Sequence, residues 1–416
     1  MKAVVLGAGV VGVSSAWYLR EAGHDVLVLD RQPEAGMETS FANGGQISVS
    51  HAEPWANPGA LAKIVQWLGR EDAPLLFRLR ADPRQWLWGM KFLAECLPGR
   101  SRENTAQLVR LGLYSRAALR ELRHRTGIEY DGLQRGILHF YTGEKEFEAG
   151  VRSARYMREL GCDRVPKTPD ECVAIEPALG ALRGRLAGGT YSADDESGDA
   201  HRFTQALSRH CADKGVRFEY DSRIERIVAE TDRVTHVRIE HADGRPEDVR
   251  GDAYVLSLGS YSPLLARPLG IALAIYPAKG YSVTMPVKNA SAAWTVSLTD
   301  EACKLVFTRL GERLRIAGTA ELTGYDTTIN EVRCRAILRR TLELFPGAGD
   351  ETGAEFWAGL RPATPSNIPY IGRTRYANLF LNTGHGTLGW THACGSGRAL
   401  AEIVSGRKPE VDFAFT

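Results

Sequence analysis

The chain has 416 residues, 44% hydrophobic and 25% charged, with 43 glycines and 19 prolines; this excludes a disordered or fibrous protein and exceeds the roughly 250–300 residues at which one core stops growing. Its 52 Lys and Arg against 50 Asp and Glu leave a formal charge of +2, which excludes a general nucleic-acid binder. Seven dispersed cysteines without a CxxC or HExxH pattern point to reduced cytoplasmic thiols and no metal site.

Lys2 to Leu6 is a short apolar run of the kind a doubly buried parallel strand needs, and it leads into Gly7-Ala8-Gly9-Val10-Val11-Gly12. The uncharged stretch from Ala3 to Leu19 superficially resembles a signal peptide, but the glycine spacing assigns it to structure. No other stretch approaches the roughly 18 to 20 apolar residues that span a bilayer, so any membrane contact is peripheral. Helical periodicity through Val13, Ala16, Trp17 and Leu19 stops at Gly23, and a second strand, Asp25 to Leu29, ends on Asp30. This is a βαβ unit with a dinucleotide fingerprint in register. The glycines let the backbone approach a pyrophosphate at a helix N-terminus, and Asp30, with Arg31 beside it, is placed to bind ribose hydroxyls. The following segment, Glu38 to Ser48, carries Ser40, Asn43, Gly44, Gly45 and Gln46, a density of small and polar groups suited to lying along a pyrophosphate and a polar ring edge.

From Arg78 to Arg125 the chain carries 11 Lys and Arg against 4 Asp and Glu. Trp67, Leu75, Leu76, Phe77, Trp86, Trp88, Met90, Phe92 and Leu93 lie just before and within this stretch, which reads either as an anionic-membrane contact or as aromatics packed under a solvated basic helix. Strand character returns at Val216–Val228 and Asp252–Ser257, around a turn at His241–Gly244, and the second of these enters Gly259. Tyr276–Val287 and Lys304–Ala317 alternate as sheet strands. Near the C-terminus, a strand at Asn378–Asn382 leads into Gly384-His385-Gly386-Thr387-Leu388-Gly389 and a helix from Trp390 to Val404. Only 27 residues follow Gly389, too few for a second nucleotide-binding half. The helix N-terminus is instead suited to the N1/O2 edge of a flavin, where its dipole is worth about 0.3–2 kcal/mol.

Six segments together resemble the bacterial FAD-dependent D-amino acid dehydrogenases of the small-subunit type, within the D-amino acid oxidase and glycine oxidase superfamily. They are VVLGAGVVGVSSAWYLREAGHDVLVLDR, ETSFANGGQIS, LGSYS at 258–262, YPAKGYSVT at 276–284, WAGLRPATP at 357–365 and NTGHGTLGWTHACGSG at 382–397. The resemblance implies an α/β fold with a discontinuous Rossmann-like FAD-binding domain (1–80, 195–262 and 345–416) and an α+β substrate cap (81–194 and 263–344). It implies FAD as cofactor, a D-amino acid as substrate, hydride transfer from Cα, and a quinone or dye as electron acceptor. It also leaves room for a partner subunit and for a place on the inner face of the cell membrane. Arg361 matches the position that clamps the substrate carboxylate, and Tyr281 is the weaker candidate on a cap strand. His51 and His385 receive no proton-transfer role, because hydride leaving a neutral amine requires no enzymic base. An FAD amine or imino acid oxidase (glycine, sarcosine or D-hydroxyproline type) and a non-catalytic or RNA-modifying nucleotide-binding protein are the alternatives.

Overall fold

The computed structural model describes residues 1–60, 64, 71 and 73–416, so Trp67 lies outside the described residues. In chain order the first elements are β1 (Lys2–Leu6), α1 (Val10–Glu21), β2 (Asp25–Leu29), β3 (Gln46–Ile47) and β4 (Leu75–Phe77). Then come α2 (Pro83–Glu95), α3 (Pro98–Thr126), β5 (Ile137–Tyr141), α4 (Glu144–Glu159), β6 (Val165–Lys167), α5 (Pro169–Ile175), β7 (Gly188–Ser192) and β8 (Glu196–Ser197). α6 (Ala200–Asp213) precedes β9 (Arg217–Glu219), β10 (Ser222–Glu230), β11 (Arg233–His241), β12 (Pro246–Val249), β13 (Ala253–Leu256) and α7 (Ser262–Ala266). The chain closes with β14 (Tyr276–Pro286), β15 (Ser297–Asp300), β16 (Leu305–Leu310), β17 (Arg313–Leu322), α8 (Glu331–Leu344), β18 (Glu355–Ala363), β19 (Tyr370–Arg373), β20 (Leu379–Thr383) and α9 (Gly389–Val404).

Two large sheets organise the molecule. A six-stranded sheet runs β19-β20-β13-β1-β2-β9 and is parallel from β20 to β9. Its central strands read VVL, VLVL and YVL because both faces are covered. On one side Val5, Val28 and Val255 meet α1, α3, α6 and α9; on the other Leu6, Leu29 and Leu256 meet the three-stranded β10-β11-β12 meander. A nine-stranded sheet runs β18-β14-β17-β16-β15-β5-β7-β6, with β4 paired to β17. Its far face packs Tyr281, Trp294, Phe307 and Phe345 against α8.

Several segments sit differently from the expected division of the chain. β4, expected with the cofactor portion, joins the nine-stranded sheet. β18 does the same, pairing with β14 from Thr284–Glu355 to Tyr276–Ala363. Conversely α3, expected in the cap, packs Leu111, Ala118, Leu119 and Leu122 into the core of the six-stranded sheet, because Ser115 meets Gly395 where a larger residue would hold α3 and α9 apart. Ala266 and Leu269 also pack with the six-stranded sheet, so the crossover comes after them. The expected strands at Val216–Val228 and Lys304–Ala317 are each two strands, broken at Asp221 (φ +51°) and Gly311 (φ +61°). Among the described residues no helix is long and apolar enough to cross a membrane.

Candidate active site

β1 hands the chain to α1 through a turn that only glycine permits. Gly7 has φ +108°, and a Cβ there would lie 2.7 Å from the Ser257 carbonyl oxygen; a Cβ on Gly12 would lie 1.9 Å from the Gly7 oxygen. The middle glycine differs. A Cβ on Gly9 meets only Ser40 Oγ, at 3.7 Å, so the space above the α1 N-terminus is open. α1 has no side-chain cap on its N-cap residue and no acidic residue in its first turn; Val10 N–H donates to Ser40 Oγ at 3.1 Å. That leaves a positive helix end facing room for a phosphate. Ala8 and Val10 are buried and Val11 half-buried beneath it.

Asp30 is buried at the end of β2. Its carboxylate accepts from Ala8 N–H at 2.5 Å and Gln32 N–H at 2.9 Å, and burial pushes its pKa up. It therefore ties the glycine turn to the strand end besides offering its remaining lone pairs outward. Arg31 pairs with Glu38 at 2.6 Å and lies 4.2 Å over the ring of Tyr261.

A cavity of about 1060 Å³ opens beside the nine-stranded sheet, walled also by α2 and the start of α9. One wall is the loop that follows Ser40, and it is stitched to the nine-stranded sheet. Asn43 O accepts from Arg315, Gly44 O from Thr308 Oγ1 at 2.7 Å, and Gln46 Nε2 donates to Ser297 Oγ at 3.0 Å. Gly45 has φ +79° and is closed in by Thr308. Asn43, Gly44 and Gln46 face the cavity. A second wall is the start of α9, whose N-cap, Leu388, supplies no side-chain hydrogen bond. Thr387 and Leu388 line the cavity there. Gly384 (φ +83°) is packed on Thr364, whereas a Cβ on Gly386 would meet only Asn367 at 3.6 Å and one on Gly259 only Pro362 at 3.8 Å. Gly389 begins α9 against the Cβ of His385. His385 is buried, and burial with His392 alongside lowers its pKa to about 3, so it is a neutral structural group. The start of α9 and the Asn43–Gln46 loop line the cavity, the glycine turn of α1 is tied to the head of the same loop through Ser40, and together they fit a single dinucleotide bearing a flavin ring.

Arg361 projects from β18 into this cavity. Its guanidinium lies across Gly280 of β14, where a Cβ would stand 2.0 Å from Nη1, and it reaches β17 to donate to Thr319 O at 2.8 Å. It has no carboxylate partner among the described residues, and burial together with Arg333 lowers its pKa to about 10. A half-buried cation without a counter-ion is a receptor for an anion. Tyr281 does not share the site. Strand alternation turns it to the far face of the sheet, where it is 1% exposed and its hydroxyl donates to the Glu321 carboxylate. Tyr281 is therefore a core residue, contrary to its expected place near substrate.

At the other end of the cavity stands a polar group that no sequence motif marks. His139 on β5 contacts Glu301 at 2.8 Å through Nδ1 and Ser50 at 3.2 Å through Nε2; Glu301 also binds Lys304, and the ring of His51 stacks on His139 at 5.6 Å. Arg164 donates to Ser50 O, Thr190 and Tyr141 and has no carboxylate partner among the described residues. Buried Asp195 fixes the backbone of Val49 and Ser50. The ligand atoms of His51, His139 and Glu301 lie within 4.8 Å of one another, but both nitrogens of His139 and both oxygens of Glu301 are already engaged. Three strand spacings, about 14 Å, separate β17 from β5, so this end is beyond the reach of a small amino acid held at Arg361.

The family model described as FAD dependent oxidoreductase (DAO) matches residues 2–403. The chain is 59% identical over 415 residues to a D-amino acid dehydrogenase of Dechloromonas aromatica (strain RCB), covering 100% of this chain and 99% of that one. It is 58% identical over 408 residues to a D-amino acid dehydrogenase of Paramagnetospirillum magneticum, covering 98% and 96%. Among solved structures, a glycine oxidase from Bacillus cereus superposes with a TM-score of 0.73 at 22% identity over 97% of this chain and 95% of that one. An L-proline dehydrogenase from P. horikoshii gives 0.77 at 18% identity over 99% and 95%. The chain belongs to the FAD-dependent oxidoreductase (DAO) family.

Proposed function

We propose that this member of the DAO family oxidises D-amino acids to 2-oxo acids and ammonia, passes the electrons to a quinone-type acceptor in preference to oxygen, and works at the inner face of the cell membrane. The observation that carries the reading is Arg361: a guanidinium without a counter-ion among the described residues, in the cavity that the cofactor loop and the α9 N-terminus also line. The substrate class and the dehydrogenase chemistry follow the full-length likeness to the named D-amino acid dehydrogenases.

The turn around Gly9, Ser40 and Asp30 would hold the pyrophosphate and ribose of FAD, and the start of α9 would face its ring. When bound, the flavin supplies the two-electron acceptor for the hydride from Cα. The chain's own part is position. Arg361 grips the substrate carboxylate by two parallel hydrogen bonds, each worth about 1.5–3 kcal/mol net, and so fixes Cα against the ring edge. Gly280 gives the guanidinium its resting place. Phe77, Trp88 and Phe92 on the cavity wall keep water from the α-carbon while the hydride moves. The imino acid then takes up water, releasing ammonium and the 2-oxo acid.

Anaerobic addition of D-alanine to the FAD-loaded protein should bleach the flavin, and L-alanine should not. A flavin indifferent to every D-amino acid would overturn the reading, and rapid reoxidation by air with none by a soluble ubiquinone analogue would replace it with an oxidase.

A further inference from the structure

Thr319 holds a conformation that its residue type resists. Among the described residues six non-glycine residues have positive φ, and Thr319, at +52°, is the one that lies inside a strand. A β-branched side chain there is a steric outlier, of the kind that persists where a binding site requires it. Its cause is a bulge. β14 and β17 pair as Lys279–Glu321 and as Tyr281–Gly318, so Thr319 and Ala320 together oppose Gly280. The extra residue resets the alternation of β17. Ala317 and Leu322 both line the cavity although they are five positions apart, and between them Glu321 turns to the far face to meet Tyr281.

An unbroken strand turns successive carbonyls to opposite edges. Here two successive carbonyls meet one guanidinium: Arg361 donates through Nη1 to Thr319 O at 2.8 Å and through Nη2 to Gly318 O at 3.4 Å. These neutral oxygens hold Arg361 without cancelling its charge. Its Nε has no partner among the described residues, and each terminal nitrogen retains a second N–H for a ligand. Because the carbonyl of Thr319 is bonded to the guanidinium, its side chain stands beside whatever the guanidinium grips. Thr319 lines the cavity, two positions along from Ala317 and so on the same face, and is half-buried. Its Oγ1, however, is shielded from bulk water and has no hydrogen-bond partner among the described residues. A hydroxyl left unpaired in this way destabilises the free protein, and here the partner can arrive with the ligand.

The geometry points to Thr319 as a second substrate-binding residue, whose hydroxyl donates to the carboxylate that Arg361 grips while its carbonyl keeps the guanidinium in place. One rotameric step about χ1 is enough to swing Oγ1 from its shielded position toward the ligand. That the ligand is a D-amino acid rests on the function proposed above; the pairing of Thr319 with Arg361 around an anion rests on the bulge. The carboxylate takes no part in the bond changes at Cα. The contact is therefore made equally in the ground and transition states, and its loss shows in KM rather than in kcat.

The test compares the FAD-loaded wild type with two variants. Thr319→Val keeps the shape and branching and removes only the donor, and Thr319→Gly removes the donor while suiting φ +52°, so it folds even where valine does not. Propionate, a carboxylate without an amine, is the probe, titrated against the flavin absorbance. Both variants should bind it about 10- to 100-fold more weakly than wild type, the loss of one hydrogen bond to a charged group. KM for D-alanine should rise by the same factor, with kcat within about threefold. Thr319→Ser, which keeps the donor, should recover most of both losses. Because it discards an unpaired buried hydroxyl, Thr319→Val should melt no lower than wild type. A wild type that does not bind propionate, or both donor-free variants binding it like wild type, would overturn the proposal. A raised KM with unchanged propionate affinity would overturn the carboxylate contact and move the hydroxyl to the amine. A wild-type flavin that responds to propionate but is never reduced by D-alanine would count against the proposed function and leave the Thr319 result standing.

Discussion

At the scale of single residues, the proposed clamp is a two-residue device. Arg361→Leu should lower kcat/KM for D-amino acids by about 10²–10⁴-fold, the loss of two charge-assisted hydrogen bonds, with the flavin spectrum unchanged; Arg361→Lys should also be poor, because an ammonium has no fork. Gly280→Ala is the sharper probe. Its methyl group would occupy the guanidinium's position, but the overlapping atoms are the end of a flexible side chain, so the fold should keep its stability while steady-state kinetics resemble those of Arg361→Lys. Wild-type kinetics in Gly280→Ala would show that the resting place of Arg361 is not its working place. Asp30→Ala removes the acceptor for Ala8 N–H as well as the proposed ribose contact, and should release FAD, read as flavin passing through a desalting column. Arg361 and the glycines of both turns were legible because a local pattern marks them. Tyr281 was misread because its motif says nothing about which face of β14 it occupies. His139, Arg164 and Glu301 were illegible because only the strand order β15-β5-β7 brings them together.

Among the elements, the nucleotide-binding βαβ unit and the C-terminal strand and helix could be read from periodicity and glycine spacing, and they appear at Lys2–Leu29 and Leu379–Val404. The placement of α3 could not. Its basic residues resemble a solvated cap helix, whereas Leu111, Ala118 and Leu122 bury against α1 and α9. What permits this is a pair of glycines on α9. A Cβ on Gly395 would lie 2.7 Å from the Ser115 backbone of α3, and one on Gly397 would lie 2.9 Å from the Ser14 backbone of α1. Neither backbone can step aside as a side chain can. Gly395→Ala and Gly397→Ala should each cost about 1–3 kcal/mol by overpacking. Because the proposed binding mode shares one cofactor between the starts of α1 and α9, Gly397→Ala should also weaken FAD retention more than Gly395→Ala does. Thermal melts and released-flavin fluorescence measure the two effects separately. Equal flavin loss in both variants would mean that the angle between α1 and α9 is not what holds the cofactor.

Over the whole molecule, the interior stores titratable groups in forms that acid undoes. Burial holds His139 and His385 at about 3 and His51 and His392 at about 4, against about 6.5 in an unfolded chain. For a base with a depressed native pKa, stability is full above the unfolded value and declines as pH falls, because the unfolded chain takes up protons that the native state refuses. Asp195 runs the other way. Burial raises it to about 6, so between pH 6 and the ordinary aspartate value the native state holds one proton that the unfolded chain does not. Over these five groups, four protons against one leave an uptake of about three on unfolding near pH 5, a contribution of about 4 kcal/mol per pH unit there. Urea unfolding with excess FAD should therefore show a midpoint that drops steeply between about pH 6.5 and about pH 5 and is flat above about pH 7. His392→Gln, at a position that is not part of the cavity lining, should reduce the slope by one proton. The outcome that would refute the argument is a midpoint independent of pH across that window, since it would require these four imidazoles to take up their protons without leaving the core.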